Sequence, residues 1–173
     1  ANEDGSRRLN HVQVLGVNDA FYEVGPGGNA FAGGAGEGIV VNERVARALQ
    51  VVAGDEVVLR MEKPELMPRD VPLVSEEDRT VAARLKVRAV AGPREFGRFD
   101  LRANQTSPLN IFVPLTFLAR QIEQQGRANM LLAVNHPRKL LPAAIDAAMK
   151  GAWQLPDASI ELRRLEQPDV LEL

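Results

Sequence analysis

Residues 38–60 read GIVVNERVARALQVVAGDEVVLR, and this stretch decides the fold class. Ile39, Val40 and Val41 form a β-branched run suited to a strand. Asn42 then offers a side-chain oxygen to the free N–H groups of a helix start, and Glu43 places an acid in the first turn, where the helix dipole favours it. Val45, Ala46 and Leu49, with Ala48 beside them, make one apolar stripe. Ala53-Gly54-Asp55 supplies turn chemistry, and residues 56–60 read as a second strand. A helix of about eight residues does not stand alone in water. Its stripe must dock on a sheet, so the unit implies a packed core of helices on strands. Nothing in it is catalytic.

Outward from this unit, strands and helices continue to mix. Residues 11–17 alternate as a strand, and Asn18-Asp19 caps a helical turn to Val24. Residues 25–38 are half glycine and read as a long loop. Residues 61–80, with three prolines, form an arm between strand patterns at 56–61 and 80–91. In the second of these, Val81, Ala83, Leu85, Val87 and Ala89 take one face and Arg84, Lys86 and Arg88 the other, as in an antiparallel strand buried on one side. Residues 111–115 form an apolar strand. Thr116 caps a helix from Phe117 to Gln125, with Leu118 and Ile122 inward and Gly126 after its end. Residues 129–135, NMLLAVN, read as a buried strand. Pro137 opens a helix to Ala152, with Leu140, Leu141, Ala144, Ile145, Ala148 and Met149 on one stripe. Trp153 and a Pro-Asp turn follow, and residues 159–165 close as a strand. The expected fold class is α+β (mixed α/β), β-rich with βαβ units and helices on one face of the sheet.

Composition narrows the function. The 173 residues carry a net charge of −2, a balance that argues against broad binding to nucleic-acid phosphates or anionic lipid. The basic residues are 17 Arg and 4 Lys. With no cysteine, disulfides, thiol catalysis and thiolate metal sites are excluded together. No apolar run approaches the roughly 18–20 residues that span a bilayer, and residues 1–12 are polar.

The residues that carry chemistry elsewhere do not assemble into a motif. The glycine-rich loop has neither G-x-x-x-x-G-K-S/T nor a G-x-G-x-x-G between strand and helix. His11 and His136 lack carboxylates at zinc-site spacing. No G-x-S-x-G elbow surrounds Ser6, Ser75, Ser107 or Ser159. Ser75-Glu76-Glu77-Asp78 reads as a solvated acidic face. Residues 92–110 interleave Phe96, Phe99 and Leu101 with Arg94, Arg98 and Arg102. Aromatic-Arg interleaving can stack on single-stranded bases. In a chain of net acidic charge it suits internal packing or a protein contact. Phe96, Arg98, Phe99 and Arg102 are the candidate partner-contact residues, and no cofactor or metal is expected.

Three segments together resemble the extracytoplasmic domain of MacB/FtsX-type ABC transporter permeases. VQVLGVNDAFYEV (12–24) is similar to that family's strand ending in Gly-Val. GIVVNERVARALQVVAGDEVVL (38–59) is similar to its Val-Val-Leu-Asn-Glu-x-x-Ala-x-x-Leu-Gly followed by Gly-Asp-x-Val. LKVRAVAG (85–92) and NIFVPLTFLARQI (110–122) are similar to its Val-x-Gly-Val strand, loop and strand closing in Val-Pro-Leu. Two positions depart. Gln50 stands where the family has Gly, and Val90-Ala91-Gly92 lacks Val-Gly-Val.

The resemblance implies a two-lobed, MacB-like periplasmic core domain. One α/β lobe would span about 10–60 and 110–165, and a more β-rich or loop-rich lobe about 61–109. Such a domain would lie between two transmembrane helices of a bacterial cytoplasmic-membrane permease, on the extracytoplasmic side, so residues 1–173 would be flanked by hydrophobic stretches. It would be non-catalytic. A cytoplasmic ATPase would drive the permease, which works as a dimer, and the outer domain would relay movement to a substrate or periplasmic partner. Ala-x-x-Leu-x-x-x-x-Gly-Asp-x-Val-x-Leu within 46–59 is also similar to double-psi barrel domains, which would make the chain a cofactor-binding module of an oxidoreductase.

Overall fold

Ile39, Val40 and Val41 are fully buried on both faces of their strand. Three consecutive apolar residues can be buried in this way only in the middle of a sheet covered on both sides. The computed structural model describes residues 1–25, 27–31, 38–64, 80–103, 105–134, 141–158, 163–165 and 170–172. Contacts divide the chain into two units, Ala1–Leu132 and Ala133–Leu173.

The first unit holds five strands, β1 (Gln13–Val17), β2 (Ile39–Asn42), β3 (Glu56–Glu62), β4 (Thr80–Ala91) and β5 (Asn110–Pro114). They form one mixed sheet in the order β1-β5-β2-β4-β3. The pairs β1–β5 and β2–β4 are parallel, whereas β2–β5 and β3–β4 are antiparallel. The fold is therefore mixed α+β. Helices α1 (Glu43–Leu49) and α2 (Leu115–Gln121) both cover one face. Val45, Ala46 and Leu49 of α1 pack there with Ile39, Val41, Val57, Leu59, Leu85, Val87, Ile111 and Val113. Phe117, Leu118 and Ile122 close the same layer. Ala48 is exposed, so the stripe of α1 is narrower than expected.

The opposite face carries no α-helix among the described residues of this unit. Val40, Ala91 and Phe112 are covered there by Phe21 and Tyr22 of the short 3-10 helix Asp19–Val24 and by Phe31, Phe96 and Phe99 from loops. Five of the six phenylalanines and the one tyrosine of the chain thus gather in one layer. Phe21 is the hub, with ring centroids 5.0 Å from Phe96, 5.1 Å from Phe99, 5.2 Å from Tyr22 and 6.0 Å from Phe112.

Several local expectations change. The strand–helix–strand over residues 38–60 forms, but β2 and β3 run in opposite directions with β4 between them, so the unit is not a parallel βαβ crossover. The β3–β4 hairpin inserts β4 beside β2 instead. The alternation of β4 holds through Val87 and then shifts. Ile39 pairs with Val87 but Val40 pairs with Ala89, which leaves Arg88 as an extra residue. One inserted residue moves all later side chains to the other face, so Ala89 joins the aromatic layer and Val90 the helical one. Ala1 and Asn2 are held against β3. Asn2 bridges Val57, and Ala1 exchanges backbone hydrogen bonds of 2.9 Å with Val58.

The larger corrections lie toward the C-terminus. Thr116 sits inside α2 rather than capping it, and the helix ends at Gln121, where Ile122 leaves helical geometry. Residues 129–134 form no strand and are exposed apart from Leu132, which reaches the aromatic layer. Apolar composition does not make a strand where no neighbouring strand offers a ladder. The second unit holds α3 (Pro142–Ala152), a single-turn helix Leu155–Ala158 and the antiparallel pair β6 (Arg163–Leu165) and β7 (Val170–Glu172). Helix α3 begins at Pro142, because proline restrains Leu141 to an extended conformation and needs no N–H at the first helical position. Strand β7 has no counterpart in the sequence reading. Residues 26 and 32–37 of the glycine-rich loop, residues 65–79 with the acidic cluster, His136, the expected helix start at Pro137 and residues 159–162 lie outside the described residues. Among the described residues no helix is long and apolar enough to cross a membrane.

Candidate partner-contact site

Strands β2 and β4 end side by side, with Asn42 opposite Ala91. From Asn42 the chain turns into α1, on the helical face. From Ala91 it turns through Gly92 and the single-turn helix Pro93–Glu95 to Phe96 and Phe99, in the aromatic layer. Where the connections of neighbouring parallel strands leave toward opposite faces, a crevice opens beyond their carboxyl ends. The described structure has a basin of about 240 Å³ at this place, lined by Asn42, Glu43, Arg44, Arg47, Ala91, Gly92, Pro93, Gly97, Arg98 and Ser107.

Asn42 builds the basin. Its Oδ1 accepts from the Val45 N–H at 3.0 Å, capping α1, and its Nδ2 donates to the carbonyls of Gly97 and Pro108, both at 2.8 Å. One side chain therefore fixes the helix start and both sides of the loop that follows β4. It is 2% exposed, so these bonds replace water that cannot reach it. The loop itself folds back sharply. The Gly92 N–H donates to Glu95 Oε2 at 2.7 Å and the Gly97 N–H to the Gly92 carbonyl at 2.9 Å. Phe96 takes a left-handed backbone with φ of 61°, and a Cβ at Gly97 would collide with the carbonyl oxygens of Ala91 and Gly92. Asn110 Nδ2 donates to the Phe99 carbonyl at 2.7 Å, which holds the other end of the aromatic segment.

Charge around the basin is one-sided. Arg44, Arg47 and Arg98 line it with one acid, Glu43, and the Glu95 carboxylate lies at its Gly92 wall. The Arg44 guanidinium donates to the Ser107 carbonyl. Arg44 and Arg47 are three residues apart on α1 and so are neighbours on its surface. The described ion pairs, Lys63–Glu123 and Arg84 with Glu3 and Glu56, do not involve these three arginines.

The four residues singled out from the sequence part company here. Phe96 and Phe99 are half-buried members of the aromatic layer, with ring centroids 6.5 Å apart. Arg98 is exposed and lines the basin. Arg102 is exposed outside it, and its N–H donates to Asp100 Oδ1 at 2.8 Å. Arg44, Arg47 and Ser107 were not singled out, because only tertiary structure brings α1 beside Arg98. Their one sequence signal is the i, i+3 spacing of the two arginines. His11 is exposed with φ of 56°, away from any motif. No group of three or more His, Asp or Glu among the described residues could hold a metal ion.

Comparison with known proteins returns no match, whether to a family model, a curated protein or a solved structure.

Proposed function

We propose that this chain is the extracytoplasmic domain of a MacB/FtsX-type ABC transporter permease, with a two-lobed, MacB-like organisation. In this reading it is non-catalytic. It relays movement driven by a cytoplasmic ATPase, through a permease dimer, to a substrate or protein partner outside the cytoplasmic membrane. The supporting observation is where the three resembling segments lie. Residues 12–24 supply β1 and the Phe21–Tyr22 turn, residues 38–59 supply β2, α1 and most of β3, and residues 85–92 with 110–122 supply the end of β4, β5 and α2. All five strands of one sheet thus come from segments far apart in the chain. Gln50 adds a smaller point. It closes α1 in the left-handed region, with φ of 55°, where a glycine fits without cost, and the family has glycine at this place.

The sheet has two edges, β1 and β3, and no observation favours the barrel-type cofactor module. The encoding reading frame tests the permease reading. Apolar stretches of about 20 residues are expected on both sides of residues 1–173. Polar sequence on both sides overturns the proposal.

A further inference from the structure

We propose that the basin between β2, α1 and the loop after β4 is a docking site for an acidic segment of a protein partner, gripped by Arg44, Arg47 and Arg98. The inference rests on the permease reading only for the partner's place outside the membrane.

Three observations converge. The basin lies where diverging connections open the sheet, so its position follows from the topology and not from one mobile side chain. Its walls are held by Asn42, which joins α1 to both sides of the loop, so the arginines project from a fixed frame. Arg44, Arg47 and Arg98 line the basin with one acid, Glu43, and the Glu95 carboxylate bonds the Gly92 N–H in its wall, so cations outnumber acids there in a chain whose net charge is −2. Guanidinium forks match carboxylates bidentately, and arginine is enriched in protein interfaces.

The size selects the ligand class. Pockets for small molecules measure about 300–1,000 Å³ and enclose most of the ligand. At about 240 Å³ and open to solvent on one side, the basin takes one or two carboxylate side chains while the rest of their chain lies outside. The basin therefore suits carboxylates presented by a polypeptide.

The test uses the 173-residue chain and a short fluorescein-labelled peptide of alternating Glu and Gly, read by fluorescence anisotropy at low ionic strength. Saturable binding is expected, weakening as salt approaches physiological strength. Arg47→Gln and Arg98→Gln should each weaken it about threefold and the double variant about tenfold, with unchanged melting temperatures. Arg120→Gln, at an exposed position of α2, should leave it unchanged. Equal loss with Arg120→Gln, or no loss with the double variant, overturns the site. Saturable binding of citrate at matched ionic strength without peptide binding overturns the ligand class. No peptide binding at all overturns the docking site and leaves the flanking-sequence test of the permease reading untouched, whereas polar flanks with arginine-dependent peptide binding do the reverse.

Discussion

Tyr22 is the residue whose environment makes the sharpest demand. It is 5% exposed and packs against Phe21, Phe31 and Phe96, and its hydroxyl has no partner among the described residues. Burial, with the nearby Asp19 carboxylate adding to it, holds the phenol well above its ordinary value of 10.0. The sign of the pH dependence follows. Below pH 10 both folded and unfolded chains keep the proton, and stability is unaffected. Above it the unfolded chain ionises while the folded chain does not, so stability falls by about 1.4 kcal/mol per pH unit through this group. Because the chain has one tyrosine, an alkaline titration followed by tyrosinate absorbance reads Tyr22 alone. Its ionisation should coincide with unfolding. Tyr22→Phe removes an unpaired buried hydroxyl, so urea unfolding at neutral pH should show stability equal to wild type or up to about 1 kcal/mol higher. The alkaline loss should be smaller by the tyrosine's share. A destabilisation above about 1 kcal/mol would show that the hydroxyl has a partner.

At the scale of elements, β2 and α1 were legible and the longer-range arrangement was not. The run Ile39–Val41, the cap at Asn42 and the stripe Val45, Ala46, Leu49 are local patterns, and each forms as written. The bounds of β4 also match, because a twelve-residue alternating run leaves little freedom. What the sequence did not carry was pairing. The shift at Arg88 depends on β2 lying alongside, and residues 129–134 are as apolar as a strand but find no ladder. The basin was half legible for the same reason. Arg98 stood out in its interleaved loop, while Arg44 and Arg47 looked like the polar face of a helix. The second role of Asn42, bonding two carbonyls 55 and 66 residues away, was invisible to a local reading. It can be separated from the cap by substitution. Asn42→Asp keeps the acceptor for the Val45 N–H but leaves the Gly97 and Pro108 carbonyls facing a carboxylate. Chemical denaturation should show a loss of at least about 2 kcal/mol for Asn42→Asp. Capping alone is worth about 1 kcal/mol, and Asn42→Ala loses it together with both carbonyl bonds. An aspartate variant as stable as wild type would mean that the two carbonyl bonds contribute nothing.

At the largest scale, the first unit is a mixed sheet with helices on one face and an aromatic layer on the other. The two layers respond to different segments. The helical layer is built from α1 and α2, next to their strands in sequence. The aromatic layer is assembled from Phe21, Tyr22, Phe31, Phe96 and Phe99, which only the fold brings together. In the proposed permease, this double-sided packing makes the sheet the rigid part, and the loop after β4 presents Arg98 beside α1 at its end. In this reading the surface faces outward from the cytoplasmic membrane. The lack of cysteine in the chain allows a direct measurement. Arg127 is exposed in the turn beside Gly126, so Arg127→Cys should be tolerated. In intact cells expressing the complete reading frame with every cysteine outside residues 1–173 replaced, a membrane-impermeant maleimide should label this variant and not its cysteine-free parent. Labelling that requires cell lysis would place the domain inside the cell and contradict the account.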